Sequence, residues 1–308
     1  PAASDAEQQR WLLLNTALQD GGAYLRIAGA AARPLLIVHH ALGPANSLSC
    51  PRLIIDAQAH SSAVVIEHHL GAGEPALLCN SASIIHLGEH ARLEHFRVFS
   101  GAGAATQFDH LLLRAGSQSQ FRQHTALLGG GFVRATLEAG LEAAGAGIDS
   151  HSLLTGHETR HADCVNFVTH AAPHTRSRHT ARSIAAGRSR VIFNSKVTVA
   201  KGAQKSDSQQ SCRGLLLSAG AEIDTRPQLE IHADDVKCAH GATTGRLDPD
   251  MLFYLLSRGL DPQSAQSLLV FAFLADVLSD ISLPAVRAAI ESQLVAQLPD
   301  SHTLRQFR

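Results

Sequence analysis

Between about residues 20 and 245 the chain repeats one pattern: a short apolar run, then a small or turn residue. YLRIAG, LLIVHH, RLIIDA, SAVVIEHH, LEHFRVFSG, HLLLRAG, VRATLEAG, RVIFNSKVTVAKG, GLLLSAGAEIDT and QLEIHADD all fit it. Several runs alternate with period two. Val197 and Val199 fall between Lys196, Thr198 and Ala200, and Leu229 and Ile231 share a face opposite Glu230 and His232. No stretch of ~10–15 residues has a strong helical period, which disfavours a βαβ sheet. Hairpin signals are sparse too, since no Asn-Gly or Asp-Gly occurs between residues 23 and 308. Turn-like glycines recur at Gly88, Gly116, Gly140, Gly187, Gly202 and Gly220, the last two intervals being 15 and 18 residues.

Ten or more short strands without hairpin turns predict a solenoid whose coils stack over a thin aliphatic column. A β-sandwich is the alternative from pattern alone. No strict hexapeptide rule holds.

After Gly245 the signals become helical. Asp248-Pro249 and Asp261-Pro262 each read as an N-cap followed by proline at the first helical position. The first helix should end at Arg258 with Gly259 as its C-terminal cap. The second should run over 262–281, apolar nearly all round at 268–275, and a third should start at Pro284. So much apolar surface on a small appendage serves either packing on the solenoid or docking of another protein. AEQQRWLLLNTAL (6–18) reads as a helical remnant. The expected division is a helical remnant over 1–19, a β-helix over 20–245 and a helical domain over 246–308.

Composition narrows the function. The chain has 308 residues, 45% hydrophobic and 17% charged, a globular composition. A formal net charge of −1 argues against nucleic acid or an anionic membrane as main partner. The run LLVFAFLA is far short of the ~20 residues that span a bilayer. Five cysteines, never arranged as CxxC, make a poor disulfide framework and a poor zinc ribbon, and point to the reducing cytoplasm. The chain begins with Pro rather than Met and opens on no signal peptide.

Motifs that would carry catalysis are missing: no GxxxxGK[ST], GxSxG or HExxH occurs. SGAGAAT (100–106) and LGGGF (128–132) read as turns or close-packed coil corners. Of the nineteen histidines, six fall in the clusters EHHLG (67–71), GEHARLEH (88–95) and HETRHADC (157–164). Adjacent strand residues face opposite ways, so His68 and His69 make a poor ion site, and structural roles are expected for such histidines.

Cys238 and His240 in HADDVKCAHGATTGRLD differ. As i and i+2 of a strand they project from one face, ~6.5–7 Å apart at Cα, and can offer a thiolate and an imidazole to Fe, Zn or Cu. Two ligands do not close a site. A lowered thiol pKa would help, although Lys237 points away. The competing reading buries Cys238 beside Val236 as a small apolar residue, with His240 at the strand end.

RGLLLSAGAEIDTRPQLEIHADDVKCAHGATTGRLDPDMLFYLLSRGL (213–260) resembles the C-terminal signature of the SufD family, of the SufB–SufC–SufD iron–sulfur cluster assembly system. VTHAAPHTRS (168–177), VIFNSKVTVAKGAQKSDSQQ (191–210) and LNTALQDGGAYLRI (14–27) extend it over most of the chain. CAHGATTGRLD resembles SufD rather than the paralogue SufB, which places a different, glutamate-bearing segment there.

The resemblance implies a mainly β protein, a right-handed parallel β-helix followed by a small helical domain. It implies a non-enzymatic scaffold pairing with SufB through the β-helix, with the SufC ATPase docking on the C-terminal helices. Phe253, Tyr254, Arg258, Phe271 and Phe273 are then the expected SufC contacts. Cys238 and His240 would meet a transient iron or iron–sulfur cluster at the SufB interface, with no permanently bound cofactor. Two departures from the resemblance are expected: the family's N-terminal helical domain should have no counterpart here, and Cys212 stands where family members commonly show a polar residue. The rival readings are a stand-alone β-helix enzyme acting on carbohydrate, for which Glu138, Glu142 and Asp149 are candidate carboxylates, and a homodimeric metal-binding module built on Cys238 and His240.

Overall fold

A computed structural model describes residues 6–40, 46–70, 77–101 and 105–297. The chain winds into a parallel β-solenoid of about seven turns. A full turn carries two strands, one in each of two parallel sheets, which number nine and eight strands among the described residues, shorter end strands included. Thr106, Phe132, His161, Arg190 and Glu222 align down the first sheet. Gln120, Gly147, Arg176, Asp207 and Lys237 align down the second. Stacked positions are thus about 30 residues apart, within the range of solenoid repeats. The 15- and 18-residue glycine spacings correspond to half coils.

Coil corners explain why hairpin dipeptides are missing. His60, His90, Gln118, His174 and Lys205 adopt left-handed φ of 54–62°. The N–H groups of His60, His90 and Gln118 each donate to the carbonyl of the neighbouring coil's corner, at Glu89, Ser117 and Ala144. The chain therefore turns by stacking corner on corner, not by reversing on itself. Gly140 is the exception among the expected turn glycines, since it lies within the strand Phe132–Leu141. In LGGGF, Gly129 approaches the neighbouring corner so closely that a Cβ there would lie 2.5 Å from Gly101 O. Part of SGAGAAT lies outside the described residues.

The interior departs from the expected aliphatic column. Ile55, Val65, Ile85, Leu111, Leu137, Val197 and Val199 do form one continuous cluster. Beside it, however, run buried Ser, His, Gln and Asn side chains, including Ser177, His179, Ser208 and Gln210. Neighbouring coils satisfy many of these groups, as when Ser177 Oγ donates to Ser208 Oγ at 2.9 Å. Stacked identical positions let polar side chains pair down the axis, which makes their burial tolerable.

Helix α1 (Ala6–Leu18) packs on the nine-stranded sheet. Trp11 stacks on Phe108 at 3.6 Å between ring centroids, and buried Asn15 donates to Asn80 O at 2.6 Å. Three helices follow the last coil: α2 (Pro249–Ser257), α3 (Pro262–Ser279) and α4 (Pro284–Gln297). Asp248 caps α2 by accepting from Asp250 N at 2.8 Å, and Asp261 caps α3 by accepting from Gln263 N at 3.0 Å. Val270, Leu274, Val277 and Leu278 of α3 bury against Phe96, Ala126, Leu153 and Ile184 of the eight-stranded sheet. That packing accounts for the apolar girth of α3. No helix among the described residues is long and apolar enough to cross a membrane.

Candidate functional site

The strand Lys237–Gly245 is the last rung of the eight-stranded sheet. One edge pairs with Asp207–Leu216, setting Cys238 beside Ser208 and His240 beside Gln210. Its other edge has no strand partner among the described residues. Ser208 and Gln210 are buried inside the solenoid, so the register aims Cys238 and His240 inward as well. Among the described residues no later coil covers them. Cys238 is therefore half-buried against the aliphatic interior, and His240 is exposed. The pair lies at the open end of the stack, within reach of another chain.

The thiol is not activated in the way a lowered pKa would require. Burial raises the Cys238 pKa, and the charge of Asp207 adds to the rise. A hydrogen bond from the backbone at Ser208 opposes it only in part. Cys238 thus stays a protonated thiol at neutral pH, and a metal ion must displace its proton before sulfur can ligate.

Beneath His240 lie two residues that sequence reasoning missed. His179 and Gln210 occupy the same register position on the two preceding rungs. Both are buried, and His179 Nε2 and Gln210 Oε1 have no hydrogen-bond partner among the described residues. Burial pushes the His179 pKa down to about 4, leaving a neutral imidazole with a lone pair to offer. These residues, with Arg178, Gln209 and His240, line a groove of about 290 Å³. Their spacing of about one coil, roughly 30 residues, hides the grouping from any local motif.

The expected contacts on the C-terminal helices divide in two. Phe253 is 72% exposed, Tyr254 is 56% exposed with Arg258 lying over its ring at 5.1 Å, and α2 buries no residue at all. Phe271 and Phe273 of α3 are half-buried and pack against the solenoid cluster. The structure therefore offers α2 to solvent and commits α3 to the fold.

The candidate carboxylates of a carbohydrate-active site do not converge. Glu138 lies 3.7 Å from His110, Glu142 pairs with Arg114 at 2.8 Å and Asp149 pairs with Arg176 at 3.6 Å. Glu138 belongs to the first sheet and Asp149 to the second. Cys212 is buried, and burial raises its pKa to about 12.

With this geometry in view, comparison with known proteins decides the family. Residues 40–273 match the family described as SUF system FeS cluster assembly, SufBD core domain. The chain belongs to the SufB/SufD family. Within that family it is of the SufD type. It is 30% identical over 271 residues to the iron–sulfur cluster assembly protein SufD of Escherichia coli, covering 87% of this chain and 64% of that protein. It is 25% identical over 290 residues to SufD of Bacillus subtilis, covering 93% of this chain and 66% of that protein. A SufBD family protein of Synechocystis is 33% identical over 213 residues, 68% of this chain and 47% of the relative. The matches thus span about half to two thirds of these relatives' length. The two SufD relatives are named as iron–sulfur cluster assembly proteins.

Proposed function

We propose that the chain is a non-enzymatic scaffold subunit that pairs with SufB through the open C-terminal end of its β-helix. The observation that carries this reading is the last coil. There an unpaired strand edge, an exposed His240 and a half-buried Cys238 share one end of the stack. An unpaired edge presents backbone donors and acceptors that a partner strand can complete. Glu222–Ile231, the last strand of the nine-stranded sheet, adds a second free edge and an exposed Ile231. Pro227 within it suits an edge strand, where proline is tolerated.

At such an interface Cys238 and His240 supply half of a tetrahedral donor set, and the partner subunit supplies the rest. Iron, or a nascent iron–sulfur cluster, is the cargo handled there, held transiently. Because the thiol is protonated when alone, cargo binding releases a proton from Cys238. The SufC ATPase docks on the exposed apolar face of α2, through Phe253 and Tyr254 with Arg258 at the rim. The proposed place of action is the cytoplasm.

Reconstitution with SufB and SufC tests the reading. His240→Ala should leave folding and co-purification of all three subunits intact and lower the iron and sulfide recovered per complex several-fold. Unchanged cluster yield removes His240 from the assembly step. Recovery of the chain as a metal-loaded homodimer instead would favour a self-paired metal module.

A further inference from the structure

The first coils of the solenoid hold a second constellation, far in sequence from Cys238 and His240. Its centre is Glu67, fully buried in the strand Ser62–Leu70. The Glu67 carboxylate lies 2.8 Å from His39 Nε2 and 2.7 Å from His95 Nε2, and accepts from Ser83 Oγ at 2.8 Å. His69, two residues along, faces the same interior and is 3% exposed. Its Nε2 lies 4.0 Å from Glu67 Oε2 and 3.8 Å from Asp109 Oδ2, yet has no hydrogen-bond partner among the described residues. His39 sits in register with His69 on the edge strand Leu35–His40, and their rings stack at 4.4 Å. Phe99 closes the other side of His69 at 4.3 Å.

An orphaned nitrogen walled in between two carboxylates carries an uncompensated desolvation penalty unless something fills the gap. Charge points the same way. Arg97 pairs with Asp109 at 2.6 Å, which leaves the Glu67 carboxylate without a permanent cation of its own. We propose that His39 Nε2, Glu67 Oε2 and His69 Nε2 form a site for a divalent first-row transition metal. Two imidazoles and one carboxylate are a donor set that suits Zn²⁺ or Fe²⁺.

The three ligand atoms already lie within 4.8 Å of one another. An ion about 2.1 Å from each ligand in tetrahedral geometry sets ligand separations of roughly 3.4 Å. The 2.8 Å and 4.0 Å distances to Glu67 Oε2 bracket that value, but the two rings stack 6° from parallel, so His39 at the rim must turn out of the stack to aim its lone pair at an ion shared with His69. His95 and Ser83 hold Glu67, while Arg97 and Ser81 hold Asp109 beside the fourth position. Such outer partners fix ligand orientation. Entry is from the edge strand, where the His39 side chain is 10% exposed.

Neither Cys238 nor His240 enters this site, so its failure is separable from failure of the scaffold reading. Anaerobic Co²⁺ titration of the full chain, followed by visible absorption and equilibrium dialysis, is the test. The wild-type protein should bind one Co²⁺ with intense d–d bands, and His240→Ala should bind it equally well. His69→Phe preserves the ring stack between His39 and Phe99, and should weaken binding at least ~10–100-fold, the loss that removal of even an outer partner produces. Circular dichroism checks that the variant is folded. If it is not, His39→Phe at the exposed rim takes its place, with the same expectation. Absence of Co²⁺ binding, or binding undiminished in the folded variant, overturns the site.

Discussion

His170 shows how single residues set the chemistry of this interior. Its ring is fully buried, with Nδ1 2.7 Å from Thr175 Oγ1 and Nε2 2.8 Å from Ser177 Oγ. Burial lowers its pKa to about 4, with Asp207 opposing the shift. In the unfolded chain it titrates near ~6.5. The folded-state value is the lower one, so below pH ~6.5 the unfolded chain takes up a proton that the folded chain does not. The stabilisation is whole above that pH and is lost as pH falls toward about 4. At ~1.36 kcal/mol per pKa unit, the loss approaches about 3 kcal/mol. Urea unfolding at pH 7 and pH 4.5 should show a smaller pH effect in His170→Gln than in the wild type; equal slopes would contradict the assignment. At this scale the sequence was legible in part. Cys238 and His240 stand out as an i, i+2 pair, and the register sends both inward. Glu67 and His69 obey the same rule, whereas the adjacent His68 and His69 point opposite ways and mask that pairing in the sequence. His39, His179 and Gln210 join their groups only through coil stacking, which local spacing does not encode.

At the scale of elements, α2 and α3 have similar apolar content and opposite fates. Asp-Pro pairs mark where both begin, because the cap carboxylate and the missing proline N–H are local chemistry. Which face meets solvent is not local. α3 is apolar all round because it lies between the solenoid and its neighbouring helices, whereas α2 projects Phe253 and Tyr254 outward. Phe273→Ser should therefore lower stability by about 2–4 kcal/mol, on the scale of deleting a packed aromatic side chain. Phe253→Ser should change stability by no more than ~0.5 kcal/mol, as exposed substitutions do. Yet Phe253→Ser should abolish SufC pull-down. Thermal melts with pull-down separate the two effects; retained SufC binding by Phe253→Ser would move the docking surface off α2.

At the scale of the whole molecule, coil stacking pairs every inner strand on both edges and leaves its unpaired edges at the ends of the solenoid. Period-two strands and missing hairpin dipeptides made the parallel solenoid readable, because a corner turn needs only one left-handed residue such as His60 or His90. The polar half of the interior was not readable, since its hydrogen bonds run between coils. Stacking also leaves free edges where the coils stop, on Glu222–Ile231 and Lys237–Gly245. The claim on which the scaffold account turns is that a SufB partner occupies those edges. Amide hydrogen exchange, measured by residue with and without SufB, tests it most directly. Protection should rise across Lys237–Gly245 and Glu222–Ile231 on adding SufB, while the central strand Gly147–Gly156 keeps its rate. Unchanged exchange at the two edge strands in a stable complex would show that the partner binds elsewhere.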